Sequence, residues 1–400
     1  MKLTLSTIIL CFAALWGWTE CRGEVTENMD SVAHRMEISL LTCEPHPAIY
    51  SLYGHTAIRV QNTYTGEDFV VNYGMFDFNS PNFLIRFVFG RTDYSMGIAP
   101  FGLFCSEYRS YGSGVIQQVL NLTDEEKLKV YAALRENYLP ENRVYRYNYF
   151  YDNCTTRARD ILLNSLHRRI VTTQQKNKSK TYRSMIHEYN EDYPWARWGN
   201  DILLGFQSDR RLSSEEQQFL PQYLCNDFEH MQLENSDGTF VPLISKRFYV
   251  VRPGVQEHDG GFPLRPVTCA LLLLVLTIAV TILEFIKNKW FWLYDTILMI
   301  VTGLCGIILT LMIFSSHPTV SLNLQILLFN PLTLIFVFAV TRKARRHEIH
   351  GWWKIWTFLI LLFLTGRLVQ CYAEGMIILA LCLLLRCISR GVLRKRLVHI

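Results

Sequence analysis

No CxxC pair occurs anywhere in the chain, so the usual ligand spacing of a structural zinc site is missing. Nothing else in the sequence points to a metal or an organic cofactor. There is no internal repeat and no long low-complexity tract, which sets aside repeat architectures and extended disorder. Charge is sparse: only 19% of residues are Asp, Glu, Lys or Arg, with a net excess of +5. The basic residues cluster between apolar runs, a pattern of membrane topology rather than of a nucleic-acid surface. Small residues are lacking at Trp18-Thr19-Glu20-Cys21, where a signal peptidase would want them, and Glu20 argues against lipidation of Cys21. The apolar stretch behind Lys2, from Leu3 to about Trp18, therefore reads as a signal peptide or a retained signal anchor over residues 1–21.

Half of the 400 residues are hydrophobic, and the long aliphatic runs crowd into the last third. Five apolar spans are expected at about 267–286, 292–314, 324–341, 352–371 and 374–389, each near the length that crosses hydrocarbon. Asp295, Glu284 and Arg367 fall inside these spans or near their ends. Lys287 and Lys289 follow the first span. Arg342, Lys343, Arg345 and Arg346 follow the third, and Arg390, Arg394, Lys395 and Arg396 follow the fifth. The intervening loop 315–323 has no Lys or Arg. Positive loops stay cytoplasmic, so the polar half of the chain faces outward, as an exported domain should. The expected organisation is a leader (1–21), an exported α+β domain (22–255), a Gly/Pro-rich linker (256–266) and an all-α bundle of about five helices (267–400) with a cytoplasmic C-terminus.

Eleven cysteines are present. Cys11, Cys269, Cys305, Cys371, Cys382 and Cys387 lie in apolar spans and behave there as small hydrophobes. Among Cys43, Cys105 and Cys225 one disulfide is compatible with an oxidising compartment, although the sequence does not pair them.

Within the exported half, alternation predicts strands at 36–43, 54–61, 69–73, 92–98, 115–120, 143–150 and 247–251. A short apolar helix is expected at 82–89. Thr123 and Glu126 form a capping box for a helix over 124–138, which Pro140 ends. A further helix opens at Cys154 or Thr155 and runs to about 167, with Arg157, Asp160 and Arg168 on its solvated face. Helical stretches at 182–190 and 214–230 flank a loop at 195–201.

Two strings carry the chemistry. In Tyr151-Asp152-Asn153-Cys154-Thr155-Thr156, Asp152 or Asn153 is suited to cap the helix, which puts Cys154 in its first turn. There the unpaired N–H groups and the helix dipole favour a thiolate. The same backbone groups, at Asn153 and Thr155, are candidates for holding an oxyanion. In Tyr53-Gly54-His55-Thr56-Ala57-Ile58-Arg59-Val60, His55 opens a strand and is the candidate acid and base. Asn72, on the next strand, is placed to orient the imidazole, as the third member of such triads does. Arg59, Arg91 and Arg157 are candidates for a phosphate head group or for ordinary surface salt bridges. The many aromatic residues, among them Tyr151, fit an acyl slot, a membrane interface or a packed core. His317 sits in the outward loop, and Asn323 and Asn330 border an apolar span, where a polar amide is costly. The Asn330-Pro331 step is expected to break its helix.

Histidine on an early strand, a polar residue on the next and cysteine opening a later helix is the order of circularly permuted papain-like thiol enzymes, lecithin:retinol acyltransferase among them. The strings Tyr53–Val60, Asn72-Tyr73-Gly74-Met75-Phe76-Asp77-Phe78 and Asp152–Thr156 resemble the Bacteroides-type lipoprotein N-acyltransferase (Lnb) family. So do Trp195 with Gly199-Asn200-Asp201, Ser316-His317-Pro318, and Asn323 with Asn330-Pro331-Leu332. The resemblance implies a permuted papain-like periplasmic domain on an inner-membrane bundle. It implies a fatty acyl chain moving from phospholipid, through a Cys154 thioester, to the N-terminal amine of the S-diacylglyceryl cysteine of lipoproteins, without cofactor. Two other readings remain at this level. One is an exported cysteine peptidase or amidase acting on cell-wall peptides, for which five spans would be superfluous. The other is a membrane scaffold in which His55 and Cys154 are incidental.

Overall fold

In the computed structural model, which describes residues 32–48, 51–77, 79–173, 179–256 and 261–398, the β-branched and aromatic runs pair into one long antiparallel sheet. The expected leader over 1–21, with Cys11 and Cys21, lies outside the described residues, as does Phe78. The sheet contains β1 (Met36–Cys43), β2 (His55–Asn62), β3 (Glu67–Met75), β4 (Asp93–Pro100), β5 (Val115–Leu120), β6 (Val144–Arg146) and β10 (Ile244–Val251), in the order β10-β5-β1-β2-β3-β4-β6. A second, three-stranded sheet joins β7 (Arg169–Thr172), β8 (Met231–Glu234) and β9 (Phe240–Pro242).

Helices cover both faces of the large sheet. On one face lie α3 (Asp124–Tyr138), α4 (Cys154–Asn164) and α7 (Pro221–Glu229), whose Val130, Leu134, Ala158, Leu162, Leu224 and Phe228 bury against Ile38, Leu40, Ile58, Val60 and Val71. Each such side chain contributes roughly 1.5–3 kcal/mol on leaving water. On the other face α2 (Phe101–Ser110) packs Phe104 and Cys105 against Leu41, Ala57 and Val70. The alternation of β2 sorts its side chains accordingly, Ile58 and Val60 to the first core and Ala57 to the second. Cys43, Cys105 and Cys225 are all free thiols, so none of the possible pairings is formed.

Several local expectations change. The capping box of α3 forms as read, Thr123 and Glu126 satisfying each other's backbone N–H groups. The strand expected over 143–150 shortens to β6, because residues 147–152 turn back through an Asn148–Asp152 bridge. The loop expected at 195–201 is a helix, α6 (Pro194–Leu203), started by Pro194 in its first turn. The stretch 214–230 is split at Pro221 into a short turn (Glu216–Phe219) and α7. Two shorter helices, α1 (Phe83–Val88) and α5 (Tyr182–His187), complete this half.

Five helices follow: α8 (Pro266–Lys287), α9 (Trp292–Ile313), α10 (Leu332–Arg345), α11 (Trp352–Gly366) and α12 (Met376–Val398). Among the described residues four segments are long and apolar enough to cross a membrane, 324–345 counting as one, and α11 is shorter. The third is interrupted: a turn over Leu324–Leu327 gives way at Asn330-Pro331, where the Asn330 Oδ1 accepts the Leu332 N–H at 2.9 Å and caps α10. Arg390, expected among the loop charges after the last span, lies inside α12. With Arg386 it is buried against Glu284 of α8 and Asp295 of α9, at N–O distances of 2.5–2.9 Å. Two arginines and two carboxylates thus neutralise one another where neither sign alone is tolerated.

The two halves are joined by a polar seam. The Gly205 N–H donates to the Thr319 carbonyl at 2.8 Å and the Phe206 N–H to the Leu322 carbonyl at 2.9 Å. Asn323 donates to the Ile202 carbonyl and accepts from Gln370, while Gln325 donates to the Asp201 carbonyl. Arg183, buried, binds Asp201 and Asp209. Trp198 gives its indole N–H to the Glu374 carbonyl at 3.1 Å. Apolar packing runs through as well, for Met312 and Val320 join a cluster with Phe150, Tyr182 and Leu204.

Removing one partner of the buried ion quartet strands the opposite charge. Glu284→Ala is expected to lower the unfolding free energy of the detergent-solubilised protein by about 3–5 kcal/mol. A loss below about 1 kcal/mol in denaturant titration would mean that these ions are solvated.

Candidate active site

The site grows from the start of α4. Asn153, buried and extended, accepts the N–H groups of Thr155 and Thr156 on its Oδ1, both at 2.9 Å, and Thr156 Oγ1 returns a bond to the Asn153 N–H. Its Nδ2 donates to the Tyr149 and Phe219 carbonyls, each at 2.8 Å. The cap is therefore locked into its surroundings, and it fixes Cys154 as the first residue of the helix. Asn153 and Thr155, read as oxyanion candidates, spend these groups on capping. The Cys154 N–H is the first-turn amide that Asn153 does not take.

The thiol lies against an irregularity in β3. The pairing of β3 with β4 slips between Asn72 and Met75, and inside that irregularity Gly74 adopts φ +99°. That backbone conformation is what calls for glycine, since a Cβ on Gly74 would make only ordinary contact, 3.8 Å from Cys154 Cβ and 3.9 Å from the Tyr94 ring. His55, first residue of β2, lies near enough to the Cys154 thiol for each to shift the other's titration. Its Nε2 lies 3.1 Å from Asn72 Oδ1. With Oδ1 accepting, Nε2 carries a proton. Thr56 and Thr155 share a hydroxyl bond of 3.0 Å, tying β2 to α4 beside the pair.

Electrostatics follow from this geometry. Burial pushes the Cys154 thiol up, but the charge of His55, its hydrogen bond, the Thr56 N–H and the Thr155 hydroxyl outweigh it, and the thiol comes down from 9.0 to about 7. Burial pushes His55 down, but the Cys154 charge and the bonds to Cys154 and Asn72 outweigh it and raise the imidazole above 6.5. Each group thus favours the charged form of the other. The arrangement can serve as an activated sulfur nucleophile with a proton donor beside it.

Residues 26–188 match the model of the Lnb N-terminal periplasmic domain, and residues 256–397 match that of the Lnb transmembrane domain. The chain belongs to the Lnb family. No match is found among curated proteins or among solved structures. Lnb membership makes this a membrane protein with a periplasmic domain and a helical transmembrane domain, of a family associated with lipoprotein modification.

The remaining candidates of this Lnb chain are dispersed. Arg59 points into the opposite face, clamped by Asp68 at 2.7 Å and Gln117 at 2.9 Å and lying over the Phe101 ring. Arg157 is held by both oxygens of Asp152 and by the face of Tyr145. Tyr151 packs edge-on against Tyr182, and Arg91 is exposed in the turn after α1. Asn323 belongs to the seam. His317 packs on Gly90, where a Cβ would fall 2.9 Å from its ring, and burial lowers its pKa. Among the described residues no cluster of His, Cys, Asp and Glu is placed to hold a metal ion.

The sequence reading missed Thr56, whose hydroxyl ties β2 to the start of α4, Gly74, whose positive φ turns β3 beside Cys154, and Tyr53. The Tyr53 hydroxyl, two residues from His55, accepts from Asn200 on α6 at 2.6 Å. The string Tyr53-Gly54-His55 held that signal, but its partner lies 147 residues away.

Because the thiol is lowered, thiolate persists as pH falls to about 7. Alkylation of Cys154 by iodoacetamide is expected to be half-maximal near pH 7 and to plateau above 8. In His55→Gln burial remains while the counter-charge is gone, so the midpoint should move above 9. A midpoint unchanged by that substitution in a pH–rate series would remove the ion pair.

Proposed function

We propose that this protein is an inner-membrane lipoprotein N-acyltransferase using Cys154 as nucleophile, His55 as acid and base, and Asn72 as the residue that orients the imidazole. The observation that carries this reading is a His55 that is hydrogen-bonded to Asn72 and coupled to the lowered Cys154 thiol, set at a helix start within an Lnb chain.

In the first half-reaction the thiolate adds to the ester carbonyl of a phospholipid, forming a C–S bond and an oxyanion that the Cys154 N–H can hold. Collapse breaks the ester C–O bond. The departing glycerol oxygen takes the proton of the His55 imidazolium, and lysophospholipid leaves behind an acyl-thioester. In the second half-reaction the neutral α-amine of an S-diacylglyceryl cysteine attacks the thioester. The C–N bond forms, the now neutral His55 takes the amine proton, and the C–S bond breaks to restore the thiolate beside the imidazolium. Water would divert the intermediate to free fatty acid. The ring-rich surroundings of Cys154, with Tyr94, Tyr145 and Tyr147 packed about it, serve to exclude it.

Both substrates are membrane lipids or carry lipid, which accounts for joining the domain to a bundle of five helices. A peptidase would need only a tether.

The test is the mass of mature lipoproteins from cells carrying Cys154→Ala in place of the wild type. Loss of one fatty acyl group per lipoprotein is expected. Unchanged lipoproteins with altered cell-wall peptides would overturn the reading in favour of an amidase, and no change in either would leave no enzyme of this kind. The Asn72→Ala protein is expected to retain thioester formation at a rate lowered about 10- to 100-fold, measured as acyl adduct against time, since orientation alone is lost.

A further inference from the structure

One strip of the exported domain has no place in the catalytic row. Helix α1 is apolar all round except for Arg86, and it leaves Ile85 58% and Phe87 44% exposed. Such a helix does not belong in water. Its position explains it. The Phe89 carbonyl at its end accepts the N–H of Ser316 at 3.0 Å, and Gly90 packs on His317, so the loop that follows α9 holds it. The end of α9 presents Leu311, Ile313 and Phe314, all exposed. The helix therefore sits beside the outward end of a membrane span, with its own apolar groups continuing that surface.

From α1 a row of rings leads inward. Phe87 and Phe83 stack with centroids 6.2 Å apart, Phe83 and Phe76 at 5.9 Å, Phe76 and Tyr94 at 4.8 Å, and Tyr94 and Tyr147 at 4.0 Å, every pair within 22° of parallel. Tyr94 then borders Gly74 and Cys154. Alongside the row lies an open cavity of about 470 Å³, with Met75, Phe76, Phe83, Tyr94 and Val144 among its walls. Arg86 and Arg146 close on Asp93 at its polar edge.

We propose that this groove receives one acyl chain of the donor phospholipid, guiding it from the bilayer surface at α1 along Phe83, Phe76 and Tyr94 to the Cys154 thiol. The inference rests on the acyltransferase reading and adds to it the route and the chain selectivity. A parallel stack of flat rings offers a continuous apolar wall to a flexible methylene chain without demanding one conformation. Because the wall is finite, its far end sets how much chain is accommodated, and substitutions along it select chain length.

The experiment uses the full-length protein reconstituted with phosphatidylethanolamine vesicles containing equal amounts of 12-, 14-, 16- and 18-carbon acyl chains, and the intact mass of the Cys154 adduct is read. Val144→Trp, at an exposed edge-strand position, fills the groove, and Phe83→Ala removes part of its wall. Variants are compared with wild type at equal iodoacetamide labelling of Cys154, which reports an intact site. In Val144→Trp the ratio of 16- and 18-carbon to 12-carbon adduct is expected to fall at least five-fold. In Phe83→Ala the 16-carbon adduct is expected to fall several-fold more than the 12-carbon adduct. Adducts that form with the wild-type length distribution in both variants would overturn the groove while leaving the acyltransferase standing. No adduct on the wild-type protein would overturn both.

Discussion

A helix start pressed against the first residue of a strand is the constraint on which the rest of this structure depends. Cys154 can meet His55 only if α4 begins where it does and β2 begins where it does. Asn153 fixes the first by binding two helix N–H groups and the Tyr149 and Phe219 carbonyls at once. The slip of β3 places Gly74, with its positive φ, beside the cysteine. A buried cap and a sheet irregularity hold position better than side chains on a loop. The electrostatic result, a thiol lowered against its own burial, follows from contact alone.

Around that point the molecule is organised in depth. The outward face of the membrane bundle enters the exported domain through α6, whose Asp201 and Ile202 carbonyls meet Gln325 and Asn323. The same helix carries Asn200, which binds Tyr53 just before His55. A single helix thus touches both the bundle and the strand start that presents the imidazole. At the opposite end of the spans the Glu284, Asp295, Arg386 and Arg390 quartet holds α8, α9 and α12 together. Paired charges at one end and backbone amides at the other brace a bundle whose outer surface is aliphatic.

Much of this was legible residue by residue wherever the determinant was local. The capping box at Thr123 and Glu126, the break at Asn330-Pro331 and the cap before Cys154 each depend on neighbours within three or four positions. The antiparallel sheet with helices and the membrane helices behind it were readable for the same reason. Determinants distant in sequence were not. Helix α2 follows Pro100 with no side-chain cap and carries Gly102 in its first turn, so only its packing on the sheet makes it a helix. The strands of the small sheet are three or four residues long, and β7 joins it only by pairing with β8 about sixty positions on. From the sequence Arg59 suits a phosphate head group or a salt bridge alike, and only the fold shows Asp68 and Gln117 beside it. Arg390 looked like a topological charge until the two carboxylates appeared.

The backbone bonds from Gly205 to Thr319 and from Phe206 to Leu322 tie the exported domain to the bundle at this junction. The height of the sulfur above the lipid is accordingly a built-in dimension of the molecule, like the reach of a fixed crane. On the proposed reading, an acceptor anchored in the same leaflet would meet it by sliding in two dimensions, whereas a freely diffusing peptide would gain nothing from that placement. Selection for lipid-bearing partners would then begin with altitude, before any side chain reads their sequence.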